Sequence, residues 1–378
     1  MKKILLLPFL SIPSGHHQAA DAFISRLKRI DPSVHCEKVD IFSYSYGRTE
    51  SIVSRFYLTW IHRFPSSYSA LYKKMVLSGC KEKDRDRYVY EYFFERQMER
   101  LLREKQPDCA VCTHALPSRL LSRLKEQGKT AVPVFNVYTD YFIHEGWGIR
   151  AIDGHFVSTA RMKDYLIKNG VPEEKIFFTG IPTHPALTKP PAVFEPPRRK
   201  IHVLISGGST GAGNLQELLS YLGFVKGIHY YVLCGKNSRL YSKLKYSGHA
   251  GVTPLPYIRS RKMMDLIYNS ADLVVTKPGG VTVAECVHKR LPIFVYDKLP
   301  GQEEMNFTEL KQEGLIYPSA GWRRQNGLSE EIIRFMYSGE QAGKYFSDLI
   351  RYEREKMAEC PAKIVLGKIS DGRTLSGG

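Results

Sequence analysis

The sequence lacks any long hydrophobic run. Over its 378 residues, no apolar stretch approaches the roughly 20 residues that a helix needs to cross a bilayer. The apolar amino-terminal run 1–10 has the length of a signal-peptide core, but it lacks a small-residue cleavage site and a Gly-His turn and a helical pattern follow it. We therefore expect a first buried strand there, and a protein that would meet a membrane only from one side.

Cysteine and acidic residues are also scarce. The seven cysteines are odd in number and widely scattered, which predicts reduced thiols in a cytoplasmic protein. Cys109 and Cys112 have the spacing of half a zinc site, but no second pair completes it, so buried strand residues are predicted.

The 38 acidic residues are outnumbered by 55 Lys plus Arg, which gives a formal charge of +17. This excess favours a polyanionic partner, either nucleic acid or an anionic membrane surface.

Short β-branched runs, glycine turns and segments with helical spacing alternate along most of the chain. This alternation predicts an α/β protein whose parallel sheets carry helices on both faces. Prolines crowd the stretch from Pro182 to Pro197 and predict a domain boundary there. We expect two Rossmann-like, doubly wound domains and a tail, with these bounds: domains 1–187 and 201–345, a Pro-rich linker 188–200, and a helical segment 346–378 that could pack back on the first domain.

The stretch Thr276 to Glu285 follows an apolar strand and begins a helix. Such a turn leaves unpaired N–H groups at the helix N-terminus, and Gly279 and Gly280 allow a phosphate to approach the backbone closely. Lys277 adds a positive charge and Thr282 a hydroxyl, while Glu285 could accept hydrogen bonds from a ribose diol. A plain turn is the alternative, because Gly-Gly pairs before helices are common.

His16 and His17 lie in the turn between the first strand and a helix. Ligands of such units lie at the carboxyl end of the strand, so either side chain could point into a crevice. A histidine there is a candidate general base, since its unperturbed pKa lies near neutrality. A histidine that only fills or caps the loop is an equal alternative.

Aromatic and basic side chains are interleaved over residues 42–74. This mixture suits a lipid headgroup boundary, where amphipathic rings and cations both find partners. It also suits single-stranded nucleic acid, through base stacking. A core-facing helix with a solvated basic face is the third interpretation, and composition alone favours it.

Several motifs, in one order and spacing, resemble a family of GT-B glycosyltransferases. This family contains the bacterial diacylglycerol glucosyltransferases and the plant monogalactosyldiacylglycerol synthases. The motifs are 276–285 with 300–306, Thr139-Asp140 with His144 and Trp147, Gly180-Ile181-Pro182, and Gly15-His16 before a helix. The resemblance implies two Rossmann-like domains that face each other across a cleft. The first would bind the acceptor and the membrane, and the second the UDP-sugar.

The resemblance also implies a role for each matched residue. The donor diphosphate would be held by glycines, Ser209 and Thr282, the uracil would be bordered by Tyr257 and Ile258, and the sugar hydroxyls would be held by Gln302 and Glu303. Glu285 would bind the ribose, and Asn306 is a lesser candidate. The donor-binding set is Gly207, Gly208, Ser209, Tyr257, Ile258, Lys277, Gly279, Gly280, Thr282, Glu285, Gln302, Glu303 and Asn306.

On the acceptor side the resemblance selects His16 over His17 as the base and adds Asp140 as a catalytic residue. Other matched positions there are Gly15, His144 and Trp147. The membrane-contact residues would be Arg55, Phe56, Tyr57, Trp60 and Arg63. Two departures from the family are Pro13-Ser14-Gly15 in place of a glycine-rich loop and His184 where relatives usually have Arg.

The function implied by the resemblance is an inverting, metal-independent transfer of a hexose from UDP-glucose or UDP-galactose to a diacylglycerol-type lipid. The enzyme would need no cofactor, bind no nucleic acid, and lie on an anionic membrane surface at the cytoplasmic face of the cell membrane. One alternative is a transferase that uses UDP-N-acetylglucosamine on a polyprenyl-diphosphate-linked or other acceptor. Others are a UDP-sugar epimerase or hydrolase of the same fold, and a non-enzymatic nucleotide-sugar sensor.

Overall fold

The computed structural model describes residues 2–9, 15–46, 85–193, 200–208, 214–248 and 250–374. The chain divides into two compact units, Met1–His184 with Lys356–Gly378, and Pro185–Glu355. Each unit contains one six-stranded sheet whose paired strands are all parallel. The five predicted membrane-contact residues and Ser209 lie outside the described residues.

The first unit has the strand order β2-β1-β3-β4-β5-β6. Its central strands are wholly apolar or nearly so, as in the buried Cys-Ala-Val-Cys of β3, because a parallel sheet is covered on both faces. The elements are β1 Lys3–Leu7, α1 Gly15–Ile30, β2 His35–Lys38, α2 Ile41–Tyr46, α3 Arg85–Lys105, β3 Cys109–Cys112, α4 Ala115–Glu126, β4 Val134–Val137, β5 Gly154–Val157, α5 Ala160–Lys168, a 3₁₀ turn Glu173–Lys175, and β6 Ile176–Phe178.

The C-terminal helix returns to the first unit. Helix α13, Pro361–Thr374, packs on α1, and its Ala362 and Val365 join Phe23 and Leu27 in one buried cluster. The backbone N–H of Met357 donates to the carbonyl oxygen of Phe178 at 2.7 Å. The last helix therefore completes the core of a domain that begins more than 300 residues earlier in the sequence.

The second unit has the strand order β12-β11-β10-β7-β8-β9. Two of its helices begin at a capping side chain: Asn237 accepts from the N–H of Leu240 in the helix Ser238–Tyr246, and Ser260 accepts from the N–H of Met263 in the helix Arg261–Asn269. The elements are β7 Ile201–Ser206, α6 Leu215–Tyr221, β8 Ile228–Leu233, α7 Ser238–Tyr246, β9 Val252–Leu255, α8 Arg261–Asn269, β10 Leu273–Thr276, α9 Gly280–His288, β11 Ile293–Val295, α10 Gln302–Gln312, β12 Tyr317–Pro318, α11 Gly327–Tyr337 and α12 Gly339–Glu355.

The domain boundary differs from the predicted one. The predicted linker begins at Thr188, but Thr188 donates its N–H to Asp265 at 2.8 Å and its carbonyl oxygen accepts from Lys289 at 2.6 Å. Nearby, Arg290 donates to the carbonyl oxygen of Pro190 at 2.6 Å. The start of the linker is thus part of the second unit, which also includes all of α12.

In each sheet the direction of strand succession reverses between two neighbouring strands. These pairs are β1 and β3 in the first unit and β7 and β10 in the second. Ligands of open parallel sheets bind outside the carboxyl ends of the strands at such reversals. The turns after these four strands are therefore where each unit is expected to hold its substrate.

Candidate active site

His16 lies at the carboxyl end of β1, in the first turn of α1. Its Nδ1 is 2.8 Å from the carbonyl oxygen of Thr113 and 2.8 Å from Oγ1 of Thr139. A carbonyl oxygen only accepts, so Nδ1 carries the hydrogen, and in the neutral ring Nε2 then has a free lone pair. The ends of β1, β3 and β4 therefore hold His16 in one tautomer, with Nε2 as the basic nitrogen.

The electrostatic surroundings keep this imidazole neutral. Burial lowers the pKa of His16 below 6.5, while the carboxylate of Asp140 and the hydrogen bond to Thr113 oppose that effect. A neutral ring at pH 7 can accept a proton. The structure thus brings Asp140 close enough to influence the charge of His16.

His114, which was not predicted, is a neighbour of His16. The two rings meet edge to face with centroids 4.8 Å apart, and the ring of Phe9 stacks on His114 with centroids 4.5 Å apart. Nδ1 of His114 accepts from the N–H of Leu116 at 3.1 Å and so caps α4. A signal was available, because His114 follows β3 closely, and β3 neighbours the strand that His16 follows.

His144 and Trp147 lie on the loop that follows β4. Nδ1 of His144 accepts from the N–H of Gly146 at 3.1 Å, and burial lowers the pKa of His144. Trp147 is buried against Tyr138, with ring centroids 4.6 Å apart, and lies 6.5 Å from the ring of His144. His144 is thus held near His16, whereas Trp147 supports the loop from behind.

His184, at the position where relatives usually have Arg, lies beside α1. Its Nε2 is 3.1 Å from Oγ of Ser25, and the neighbouring carbonyl of Thr183 accepts from Arg26 at 3.3 Å. Both contacts lie within the first unit. These contacts hold His184 and the segment before it against α1.

The predicted phosphate turns lie side by side in the second unit. Ser206 at the end of β7 pairs in register with Thr276 at the end of β10, so the turns that follow them leave the sheet at the same edge. Gly208 has φ +79°, and a Cβ atom at Gly208 or Gly279 would meet no atom of the described residues within 4 Å. Among the described residues no side chain caps α9 at Gly279, so its first N–H groups are not taken up by a cap.

Lys277 and Thr282 flank that turn. The side chain of Lys277 is largely buried, with Nζ 3.7 Å from a carboxylate oxygen of Asp297, and Thr282 lies half-buried in the first turn of α9. A helix N-terminus and a nearby ammonium group both favour an anion. The arrangement can therefore accept a diphosphate, as the prediction requires.

Glu285 is buried and both of its carboxylate oxygens have protein partners. Arg261 donates to Oε1 at 3.0 Å and the hydroxyl of Tyr268 donates to Oε2 at 2.9 Å. Burial raises the pKa of Glu285, while Arg261 and Tyr268 oppose the rise. The predicted role in ribose binding stays a prediction, and it would have to use the remaining lone pairs of these oxygens.

The other predicted donor residues follow β9 and β11. Tyr257 is exposed, with Nζ of Lys236 5.8 Å from its ring centroid, and Ile258 is half-buried beside it. Oε2 of Glu303 accepts from the N–H of Leu299 at 2.6 Å and closes the turn before α10. Gln302 is half-buried and Asn306 is buried in the same helix. All of these residues lie toward the carboxyl edge of the sheet.

No group of three or more His, Cys, Asp or Glu side chains in the described ranges could hold a metal ion. No helix within those ranges is both long and apolar enough to cross a bilayer.

Family models match both halves of the chain. Residues 16–183 match the model of monogalactosyldiacylglycerol (MGDG) synthase. Residues 202–315 match the glycosyltransferase family 28 C-terminal domain. The first match begins at His16, and the second includes the turns after β7 and β10.

Curated relatives cover most of the chain. The uncharacterized glycosyltransferase YkoN of Bacillus subtilis (strain 168) is 41% identical over 98% of this chain and 97% of its own length. The processive diacylglycerol beta-glucosyltransferase of Bacillus cereus (strain G9842) is 28% identical over 80% of this chain and 78% of its own length.

Solved structures are similar over both units. MurG of Acinetobacter baumannii superposes with a TM-score of 0.58 at 14% identity, covering 98% of this chain and 100% of MurG. The glycosyltransferase SnogD of Streptomyces nogalater gives 0.55 at 13% identity, with 100% and 99% coverage. The UDP-GlcNAc 2-epimerase of Neisseria meningitidis, bound to UDP-GlcNAc, gives 0.53 at 11% identity, with 98% and 100% coverage. At these identities the likeness concerns the fold alone.

Proposed function

Because the chain belongs to the GT-B glycosyltransferase family of the diacylglycerol glucosyltransferases and MGDG synthases, we propose that it transfers a hexose from a UDP-sugar to a diacylglycerol-type lipid. The predicted family and the predicted two-domain α/β fold are confirmed. The donor, the acceptor, the stereochemistry and the membrane surface belong to the proposal.

The geometry of His16 carries the proposal. Its Nδ1–H is held by the Thr113 carbonyl, and its neutral ring offers Nε2 as a base beside Asp140 and Thr139. A general base with a pKa somewhat below the working pH is unprotonated and ready to accept a proton. An alcohol acceptor needs such a base, because its own hydroxyl is a weak nucleophile.

The proposed reaction is a single displacement at the anomeric carbon. The acceptor oxygen forms a bond to that carbon as the bond to the diphosphate oxygen of UDP breaks, and the configuration inverts. His16 Nε2 takes the hydroxyl proton, and the electron pair of the broken bond leaves with UDP. The N–H groups of α9 and the ammonium group of Lys277 would stabilise the charge that develops on the leaving diphosphate.

The lipid acceptor and the membrane follow from the relatives and from charge. One relative is named for diacylglycerol and the matching family model for monogalactosyldiacylglycerol. The formal charge of +17 would hold the protein on an anionic surface, where such a lipid is dissolved. We place the enzyme at the inner face of the cell membrane, and we expect neither a metal nor a cofactor to be required.

A donor panel tests this proposal. UDP release would be measured from UDP-glucose, UDP-galactose and UDP-N-acetylglucosamine, with and without diacylglycerol in anionic liposomes, and with EDTA in a parallel series. We expect acceptor-dependent release with one hexose donor, lost in His16→Ala and largely kept in the neighbouring control His17→Ala. NMR of the product would report inversion.

The contrary outcomes are distinct. UDP binding without release from any donor would refute the diacylglycerol acceptor, and release with a polyprenyl-diphosphate acceptor would replace it. Release that does not need an acceptor would indicate a hydrolase, and interconversion of UDP-sugars an epimerase. Full activity of His16→Ala would remove His16 as the base.

A further inference from the structure

His16 and His114 offer nitrogens of opposite hydrogen-bonding character. His16 uses Nδ1–H on the Thr113 carbonyl, so its Nε2 is an acceptor. His114 uses the lone pair of Nδ1 to cap Leu116, so in the neutral ring its Nε2 carries the hydrogen and is a donor. Burial lowers the pKa of His114 well below 6.5, which keeps that ring neutral. The pair is therefore one acceptor and one donor.

Both nitrogens remain available. Within the described residues, no group forms a hydrogen bond with Nε2 of His16 or of His114. Both side chains are half-buried rather than fully enclosed. An N–H donor at the carboxyl edge of the sheet that has no partner among the described residues is available to a ligand.

The two rings are held rigidly and close together. Leu7 at the end of β1 pairs in register with Cys112 at the end of β3, and the residues that follow bring the ring centroids within 4.8 Å. The stacking on Phe9 at 4.5 Å and the cap on Leu116 fix the plane and the tautomer of His114. His114 is thus preorganised as His16 is.

We propose that the Nε2–H of His114 binds an acceptor oxygen of the lipid, the carbonyl oxygen of the ester beside the attacking hydroxyl. This inference rests on the proposed function. A diacylglycerol presents a hydroxyl and an ester carbonyl a few bonds apart, which matches one base and one donor side by side. A diether lipid has a weaker acceptor there, and a simple long-chain alcohol has none. His114 would therefore select an ester-bearing acceptor.

Three variants separate the two contacts of His114. His114→Gln keeps an N–H donor that extends to the position of Nε2. His114→Asn keeps an oxygen that can cap α4, but its amide N–H does not extend to that position. His114→Phe keeps the ring stack on Phe9 and loses both contacts. Each variant would be assayed for kcat and KM on a diester glycerol, the matching diether glycerol and a long-chain alcohol, with Tm measured alongside.

We expect wild type to prefer the diester over the diether. His114→Phe and His114→Asn should lose about tenfold in kcat/KM on the diester, the worth of roughly one hydrogen bond, with little loss on the diether. His114→Gln should recover most of the diester preference. His114→Phe and His114→Gln should lower Tm, because both remove the cap, whereas His114→Asn keeps the cap and should keep Tm.

Several results would overturn this inference. If all three variants keep the diester preference, or if diester and diether rates fall together in proportion to Tm, His114 has only a structural role. If wild type transfers no sugar to any of the three acceptors, the proposed function fails first. Transfer by wild type with unchanged variants would refute the role of His114 and leave the proposed function intact.

Discussion

Gly148 gives the sharpest test of how the acceptor-side loop is held. The loop 139–148 carries Thr139, Asp140 and His144, and its far end is fixed at Gly148 by three buried hydrogen bonds. Ser118 Oγ accepts from the Gly148 N–H at 3.1 Å and donates to its carbonyl oxygen at 3.1 Å. Asn136 donates to the same carbonyl oxygen at 2.8 Å. A Cβ atom at Gly148 would lie 2.6 Å from the Ser118 carbonyl oxygen.

The substitution Gly148→Ala must therefore strain the core or move the loop. Overpacking against backbone atoms costs about 1–3 kcal/mol. If the loop moves instead, the three hydrogen bonds are lost at about 1 kcal/mol each. Either way we expect a loss of about 1–3 kcal/mol in the free energy of unfolding. A displacement of about 1 Å in the loop would lower kcat/KM by roughly 100-fold, because the groups around His16 lose their alignment.

The assay compares Gly148→Ala with Gly343→Ala by urea unfolding and by acceptor-dependent UDP release. A Cβ atom at Gly343 would meet no atom of the described residues within 4 Å, and this residue lies inside α12. The control should gain up to about 1 kcal/mol from helix propensity and keep full activity. An unfolding free energy of Gly148→Ala within about 0.5 kcal/mol of wild type, with full activity, would refute the reasoning.

Three further outcomes are expected. The pH profile of kcat/KM should fall on the acid side with a midpoint below 6.5, because burial lowers the pKa of His16. Asp140→Asn should move that midpoint further toward acid, because it removes a charge that raises the pKa of His16. An unchanged midpoint in Asp140→Asn would show that Asp140 does not influence the pKa of His16. Lys289→Met should lower the free energy of unfolding, measured in urea, by about 3–5 kcal/mol, because it leaves the buried carboxylate of Asp265 without its cation. A loss below about 1 kcal/mol would contradict this. Gly208→Ala should lower the free energy of unfolding by about 1–2 kcal/mol, because residue 208 has a φ of +79°. It should also weaken UDP binding, measured by calorimetry. Unchanged UDP affinity would show that the turn after β7 is not part of the donor site.

Most of the described elements could be predicted from local pattern. The strand before the phosphate turn is observed as β10, Leu273–Thr276, and the helix after it as α9, Gly280–His288. Helix α7, Ser238–Tyr246, was not predicted, because only Leu240 and Leu244 are buried in it and two positions are too few to establish a helical period.

The sequence by itself determined the fold class, the family and the place of His16. These follow from short-range periodicity and from motifs whose members lie within a few residues of each other. Tertiary structure alone decided which nitrogen of His16 carries the hydrogen, since Thr113 and Thr139 lie 97 and 123 residues away from it. It also decided the position of His114 beside that ring and the partners of Glu285. Such contacts depend on which strands become neighbours in the sheet, and strand order is settled by packing over the whole domain rather than by local sequence.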